Sequence, residues 1–260
     1  MTRPPPATAM PASPVIPQKP AIPENPVIVA LDVPTAEEAV RLAERLAPHV
    51  GGFKVGLELL MGPGPAIVGA IRQLGKPVFA DAKLSDIPNT IEAAARQLGA
   101  LGARWVSVHA GGGLDMLRAA VAGLMNGARG NEAGILAVTV LTSFDAGALA
   151  AVGVAGTVGK QTARLARLAA AAGVEGVVCS VRELGDVGQV APGLVRVTPG
   201  IRPAGGDPHD QMRVATPAEA RKRGADLLVI GRPITRAKDP VAEAVAINKE
   251  IDNREQATTN

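Results

Sequence analysis

The chain has 260 residues, 47% of them hydrophobic and 20% charged, a composition that provides a sizeable core and argues against global disorder. Its formal net charge is +3 and only 2% of its residues are aromatic, so it lacks the stacking surfaces of single-stranded nucleic-acid binders, and we expect no nucleic-acid partner. The mild basic excess is compatible with a small anionic substrate. The single cysteine, Cys179, cannot form an intramolecular disulfide, which favours a cytoplasmic location.

The two ends of the chain differ in composition from the part between them. Residues 1–26 contain nine prolines, which interrupt every apolar stretch and predict a disordered or polyproline-like extension rather than a signal peptide. The polar residues 253–260 are predicted to form a short frayed tail. Residues 27–252 remain as one catalytic domain, and no segment in them is long and apolar enough to predict a membrane span.

Between these ends, a short β-branched apolar run alternates eight times with a longer segment of helical period. The predicted strands cover residues 27–33, 52–57, 77–83, 104–110, 134–142, 176–180, 195–201 and 226–232. Strands that alternate with helices predict parallel βαβ units, and eight of them predict an α/β fold, a single closed (β/α)8 TIM barrel. A doubly wound open sheet is the alternative, but "ALDVPTAEE" after the first strand lacks its glycine-rich fingerprint.

Residues able to do chemistry stand where the predicted strands end, which is the face that carries the active site in such barrels. They are Asp32, Lys54, Asp81, Lys83, His109, Thr142, Arg202 and Arg232. Asp81 and Lys83 lie two positions apart, so their side chains should point the same way, while Asp86 falls in the loop beyond. Opposite charges that alternate along the first four of these residues can stay ionised in a partly dry cavity; solvated surface charges are the alternative reading.

The ends of strands seven and eight indicate a phosphate site. "TPGIRP" and "IGRPI" each join a glycine to an arginine, and phosphate in these barrels is often held by these loops, so Gly231 and Arg232 are the predicted ligands. Residues 201–212 between them predict a mobile lid, with an ordinary loop as the alternative. The sequence has no "HExxH" motif and no Cys/His cluster, so we predict no metal site.

With these features established, "DAKLSDIPNT" (residues 81–90) is similar to the Asp-x-Lys-x-x-Asp-Ile-Pro-x-Thr signature of the orotidine 5′-phosphate decarboxylase family. "ALDV", "KVG", "VHA", "VTVLTS", "VTPGIRP" and "VIGRPI" match further blocks of that family in the same order, so that the resemblance covers roughly residues 27–250. It implies decarboxylation of orotidine 5′-monophosphate to UMP, the last step of de novo pyrimidine nucleotide synthesis, in a homodimer that uses no metal and no cofactor.

The resemblance also implies roles for individual residues. Lys83 would protonate C6 of the pyrimidine as carbon dioxide leaves, between Asp81 and the Asp86 of a neighbouring subunit. Lys54 would complete the charged set. The expected substrate-binding residues are Asp32 at the ribose, Thr142 at the pyrimidine, Gln211, Gly231 and Arg232 at the phosphate, Arg202 in the closing loop, and Thr90 across the dimer. Whether Asp81 strains the substrate or positions Lys83 stays open.

Two other functions are compatible with the same strand-end residues. A sugar-phosphate decarboxylase or lyase of the same barrel group would need a divalent metal and an acidic ligand near strand two, where Glu58 is the local candidate. A phosphate-ligand binding protein that retains the fold but not the catalysis is the other alternative. The presence of both Lys83 and Asp86 argues against that second alternative.

Overall fold

The computed structural model describes residues 19–203 and 215–258, of which 253–258 are described by their backbone. Within these ranges the strands are β1 Val27–Ala30, β2 Gly52–Val55, β3 Val78–Leu84, β4 Trp105–His109, β5 Gly134–Val138, β6 Gly176–Val178, β7 Val195–Thr198 and β8 Leu227–Ile230. They pair in parallel in sequence order, and β8 pairs back to β1, so the sheet closes. The predicted (β/α)8 barrel is confirmed.

Helices connect the strands and form the outer layer. They are α1 Ala36–Leu46, α2 Leu57–Met61, α3 Ile67–Arg72, α4 Pro88–Ala100, α5 Leu114–Ala128, α6 Ala146–Ala151, α7 Val158–Ala171, α8 Leu184–Val190, α9 Pro217–Lys222, α10 Arg232–Thr235 and α11 Pro240–Thr258. The last helix continues through the first residues of the segment predicted as a polar tail. Among the helices in the described part of the chain, none has the length and apolar character needed to cross a membrane.

The strand predicted over residues 134–142 is shorter in the structure. β5 ends at Val138, where its pairing with Val178 of β6 also ends. Thr139, the next residue, donates both its backbone N–H, at 3.2 Å, and its hydroxyl, at 2.7 Å, to the Val178 carbonyl. Thr142, expected at a strand end, therefore lies in the loop after β5.

Side chains on alternate positions of each strand point into the barrel, where they form one apolar cluster. Its members are Ile28, Ala30, Phe79, Trp105, Leu136, Val195, Val197, Leu227 and Val229. Lys54 lies opposite Ala30 on one side and Phe79 on the other, so it faces the same interior. Two residues beyond Ala30 and Phe79 come Asp32 and Asp81. The interior is thus apolar in the middle and charged at the carboxyl ends of the strands.

Residues 19–26, which we call the strap, cross the amino-terminal end of the barrel. Lys19 forms an ion pair with Asp226 at 2.6 Å, and Arg104 donates to the carbonyl of Ala21 at 3.2 Å. Ile22 packs against the apolar cluster inside the barrel. The last part of the predicted extension thus makes specific contacts with the barrel.

Asn25 is the best-connected side chain of the strap. Its carbonyl oxygen accepts from the N–H of Val27 at 2.9 Å, and its amide donates to the His49 carbonyl at 3.1 Å and to Asn248 at 3.3 Å. It therefore ties the start of β1 to the end of α1 and to α11. Because the side chain is partly buried, its loss removes the partner that Asn25 gives to the Val27 N–H and to the Asn248 side-chain oxygen, while the His49 carbonyl still accepts from Asn248 at 2.7 Å.

We expect N25A to lower the free energy of unfolding by about 1–3 kcal/mol, since three hydrogen bonds are lost at once. Urea unfolding followed by circular dichroism measures this change. E24A is the matched control, because Glu24 is the neighbouring exposed residue of the strap. Equal free energies of unfolding for N25A and E24A would show that the hydrogen bonds of Asn25 do not stabilise the fold.

Candidate active site

A cavity of about 230 Å³ opens at the carboxyl end of the barrel. Its walls include Phe79, Val138, Val178 and Val229, which extend the apolar interior toward the carboxyl ends of the strands. Eight of the residues predicted from the sequence line it: Asp32, Lys54, Asp81, Lys83, Thr142, Arg202, Gly231 and Arg232. The fold therefore brings together residues that were predicted from their strand-end positions and that are up to 200 positions apart in sequence (Asp32 to Arg232).

Four of these residues form a continuous charge network of alternating sign: Asp32, Lys54, Asp81 and Lys83. Lys54 Nζ lies 3.2 Å from Asp32 Oδ1 and 3.4 Å from Asp81 Oδ2. Lys83 Nζ lies 2.7 Å from the same Asp81 oxygen. Two ammonium groups thus share one carboxylate oxygen, an arrangement that satisfies partly buried charges by pairing each with its opposite.

Asp81 is ionised in this environment. Burial alone would raise the pKa of its carboxyl group, but the ammonium groups of Lys54 and Lys83 and hydrogen bonds from Lys83 and Ser107 outweigh that effect and hold the pKa below its usual range. Lys83 has a side chain that is 34% exposed, against 10% for Asp81 and for Lys54. Lys83 is therefore the more exposed of the two lysines, and together with Asp32, whose side chain is 51% exposed, it faces the open cavity.

The backbone at Lys83 departs from regular strand geometry. Its φ angle is +47°, in the left-handed region that non-glycine residues rarely adopt. Between β3 and β4 the register shifts, so that Ala80 lies opposite Val106 and Leu84 opposite Val108. Four residues of β3 thus span the length of two residues of β4, and the surplus forms a bulge that contains Asp81 and Lys83.

Two of the residues predicted to bind phosphate, Gly231 and Arg232, lie on the other side of the cavity. Gly231 precedes α10, and a Cβ atom placed on it would lie 3.4 Å from the Cβ of Ala30 and 3.5 Å from Asp32 Oδ2. Arg232 begins α10, and Arg202 follows β7 with its side chain buried and donating to the Ile201 carbonyl at 2.8 Å. Two guanidinium groups therefore line the wall opposite β3.

Two of the predicted site residues, Asp86 and Thr90, do not line this cavity. Asp86 and Thr90 are exposed beyond the end of β3, where the Asp86 carboxylate accepts from the N–H of Ile87 at 2.6 Å. Gln211 lies outside the described residues, as do His209 and most of the predicted lid. Leu57, Met61 and Ile87 are exposed apolar side chains on the neighbouring segments after β2 and β3, with exposed fractions of 48%, 75% and 66%.

His109 and Glu58 also lie apart from the cavity lining. Burial and the ammonium of Lys83 lower the pKa of His109, although the carboxylate of Asp81 acts in the opposite direction. Glu58, the acidic residue that a metal-dependent alternative would need, is exposed on α2. Across residues 19–203 and 215–258, no group of three or more His, Cys, Asp or Glu side chains is placed to hold a metal ion.

Two residues of the site were not identified from the sequence. Ser107, fully buried on β4, donates to Asp81 Oδ1 at 2.8 Å and accepts from the N–H of Lys83 at 2.9 Å. Gly56 lies so close to the network that an added Cβ would be 3.0 Å from Lys54 Nζ and 3.1 Å from Asp32 Oδ1. The available signal was a single polar residue within "WVSVH" and the glycine of "KVG".

A larger cavity, about 900 Å³, lies at the opposite end of the barrel, between the strap and the loops that precede β2, β3, β4 and β5. Arg104, one of its charged lining residues, already has a partner outside the lining, because it contacts both oxygens of Glu175 at 2.7 and 2.8 Å, and Trp105 donates to the same carboxylate. Active sites of (β/α)8 barrels lie at the carboxyl face. We therefore assign the smaller cavity as the candidate active site.

The low pKa of Asp81 links its charge to stability. Because the unfolded carboxyl group takes up a proton at a higher pH, the contribution of Asp81 is complete above its unfolded pKa of about 3.9 and is lost as the pH falls through the lower folded value. We expect D81N to lower the unfolding free energy by about 3 kcal/mol at pH 7, and less below pH ~4. Urea unfolding from pH 3 to 7 measures the difference in unfolding free energy between D81N and wild type, with D252N as the control for loss of a surface carboxylate. A difference that does not change with pH would contradict the prediction.

The chain is similar to known proteins over most of its length. Orotidine 5′-phosphate decarboxylase from Anaeromyxobacter sp. (strain K) is 53% identical over 219 residues, which cover 84% of this chain and 94% of that protein. The Thermobifida fusca (strain YX) protein of the same name is 50% identical over 225 residues, or 86% of this chain and 94% of the relative. A crystal structure of orotidine 5′-phosphate decarboxylase from Lactobacillus acidophilus matches with a TM-score of 0.78 and 37% identity, covering 88% of this chain and all of that one.

The profile of the Orotidine 5′-phosphate decarboxylase / HUMPS family matches residues 25–247. This range contains all eight barrel strands and the complete charge network. The chain therefore belongs to the Orotidine 5′-phosphate decarboxylase / HUMPS family.

Proposed function

We propose that this protein decarboxylates orotidine 5′-monophosphate to UMP and carbon dioxide without a metal or a cofactor. The observation that carries the proposal is the Lys83 ammonium, held 2.7 Å from a buried, ionised carboxylate at the mouth of the barrel. Relatives that are about half identical over most of the chain bear the name of this activity. The two arginines on the opposite wall of the same cavity fit an anionic substrate that carries a phosphate group.

Lys83 supplies the chemistry that the reaction requires. When the bond between C6 and the carboxylate breaks, carbon dioxide departs without the electron pair, which remains on C6. A fixed cation beside C6 stabilises this negative charge as it develops, and the Nζ–H bond then delivers the proton that completes UMP. A preorganised donor of this kind typically contributes about 3–4 kcal/mol to the transition state.

The rest of the charge network keeps Lys83 available for this role. Asp81 holds the ammonium in place through Oδ2, and Lys54 shares that oxygen from the other side. Lys54 in turn pairs with Asp32 at 3.2 Å, and Asp32 is half exposed, so it can also accept from a ribose hydroxyl. The network therefore joins the reacting carbon to the sugar through ionic contacts.

Substrate binding is assigned to the other side of the cavity. Arg232, Gly231 and Gln211 bind the phosphate, Arg202 accompanies the loop that closes over it, and Thr142 contacts the pyrimidine. Arg202 and Arg232 follow β7 and β8, on the side of the barrel opposite β3, so a nucleotide would span the cavity with its phosphate remote from Lys83. Binding energy gained at the phosphate can then orient C6 against the ammonium.

We further propose that the active enzyme is a homodimer in which Asp86 and Thr90 serve the neighbouring subunit. Both are exposed outside the cavity of their own chain. The apolar side chains of Leu57, Met61 and Ile87 are exposed nearby, on the segments that follow β2 and β3. Covering apolar side chains of this size with a partner surface lowers the free energy of the assembly.

We also propose a cytoplasmic location for the protein. The lone cysteine of the sequence supports it.

The direct test is loss of substrate absorbance when purified protein is mixed with orotidine 5′-monophosphate in the presence of a chelator. We expect full activity with and without chelator. Absence of turnover would refute the proposed function, and chelator-sensitive turnover would favour the metal-dependent alternative.

The same assay tests the role of Lys83. K83A should lose at least about a hundredfold in kcat, because the cation beside C6 is removed, while it still binds UMP through the phosphate side. Calorimetric titration with UMP separates these two effects. K160A, which removes an exposed lysine of α7, is the matched control. A K83A protein with normal kcat would exclude Lys83 as the proton donor.

Shared sites can be tested by mixing two inactive variants. Each hybrid of D86A and K83A chains has one intact site and one doubly mutated site. Random exchange gives hybrids in half of the dimers, so the mixture should recover about 25% of wild-type activity. If subunit exchange is verified by mass spectrometry and no activity returns, Asp86 does not act across the interface.

A further inference from the structure

Ser107 is the polar residue at the site that neither the family signature nor the proposed mechanism uses. It lies on β4 between Val106 and Val108, and no part of it is exposed. Alternation along the strand places it on the same face as Trp105, whose side chain belongs to the cluster inside the barrel. A hydroxyl group at this depth must find partners, because an unsatisfied buried hydroxyl costs free energy.

Both partners of Ser107 belong to the charge network. The hydroxyl donates to Asp81 Oδ1 at 2.8 Å, whereas the two lysines contact the other carboxylate oxygen, Oδ2. Ser107 therefore fixes the rotation of the Asp81 carboxylate, and this rotation decides which oxygen faces Lys54 and Lys83. Without the hydroxyl, Oδ1 would lose its partner and the carboxylate would be free to turn.

The second bond of Ser107 holds the backbone of Lys83. In the bulge of β3, the N–H of Lys83 has no regular ladder partner on β4, and the Ser107 oxygen accepts it at 2.9 Å. This bond stabilises the left-handed conformation of Lys83, with φ of +47°. That conformation directs the lysine side chain back toward Asp81 and into the cavity, where its ammonium faces the substrate space.

We propose that Ser107 is a positioning residue for the decarboxylation: its one hydroxyl fixes the carboxylate of Asp81 and the backbone of Lys83, and thereby sets where the Lys83 ammonium stands. This inference rests on the proposed function, since it assigns a part in the same reaction. Ser107 acts through Asp81 and Lys83. Its loss should therefore impair turnover and leave nucleotide binding at the distant phosphate wall largely intact.

The experiment compares S107A with T139V. Thr139 is also a buried strand-end hydroxyl, 6% exposed, but its bond goes to the Val178 carbonyl. We expect S107A to lower kcat by about 10- to 100-fold, the effect typical of losing a hydrogen bond to a charged group, with KM changed less than about threefold. T139V should stay within about twofold of wild type in both constants.

Counting competent sites separates positioning from folding. Calorimetric titration with UMP gives the fraction of S107A molecules that bind nucleotide, and kcat is expressed per binding site. A crystal structure of S107A with UMP should show Lys83 shifted or its φ angle changed. If S107A does not fold, S107C replaces it, because a thiol fills the same place but hydrogen-bonds weakly.

The outcomes distinguish the two proposals. If wild type decarboxylates the substrate and folded S107A or S107C has normal kcat per site, the positioning role of Ser107 is refuted while the proposed function stands. If wild type itself shows no decarboxylation, the proposed function fails first. A reduced kcat per site in S107A, beside near-normal T139V, is the expected result.

Discussion

The contact of one carboxylate with two ammonium groups organises this molecule. Asp81 lies within 3.4 Å of both Lys54 and Lys83, and Asp32 completes a network whose formal charges cancel. A network without net charge gives an incoming anion little long-range attraction. Affinity for an anionic nucleotide must therefore come from elsewhere, and Arg202 and Arg232 supply positive charge on the opposite wall. In the proposed function, the site would thus separate groups that bind the substrate from groups that respond to the charge formed during reaction.

Holding this network in place carries a free-energy cost for the folded state. Other parts of the barrel offset that cost. A non-glycine residue in the left-handed conformation costs about 1–2 kcal/mol, and each partly buried charge carries a desolvation penalty. The amino-terminal end shows the opposite character: Trp105 and Ile28 are fully or nearly fully buried, and the strap covers the barrel beside them. Apolar packing at one end therefore supports strained, charged geometry at the other, a division that the parallel barrel permits because all strands point the same way.

The sequence was sufficient for the fold and for most of the site, because periodicity and strand-end position are local signals. Asp81 and Lys83 could be assigned to one face from their spacing of two. Ser107 could not be identified, since a serine between two valines is ordinary in a strand until the bulge of the neighbouring strand supplies its partners. The fixed strap was equally hidden: its prolines predict an open chain, while its contacts depend on residues such as Asp226.

Lys83 and Asp86 are three positions apart, yet only Lys83 lies in the cavity of its own subunit. The Lys83 side chain keeps 34% of its surface exposed in a single subunit, and Asp86 points outside the cavity altogether. An exposed ammonium is a weak catalyst, because water screens the charge that it would stabilise. In the proposed dimer, a neighbouring surface that covers Leu57, Met61 and Ile87 would bring a second carboxylate and exclude water in the same step. Assembly would then strengthen the electrostatic interaction on which the chemistry depends, so a monomer with a perfectly formed network would still be a poor decarboxylase.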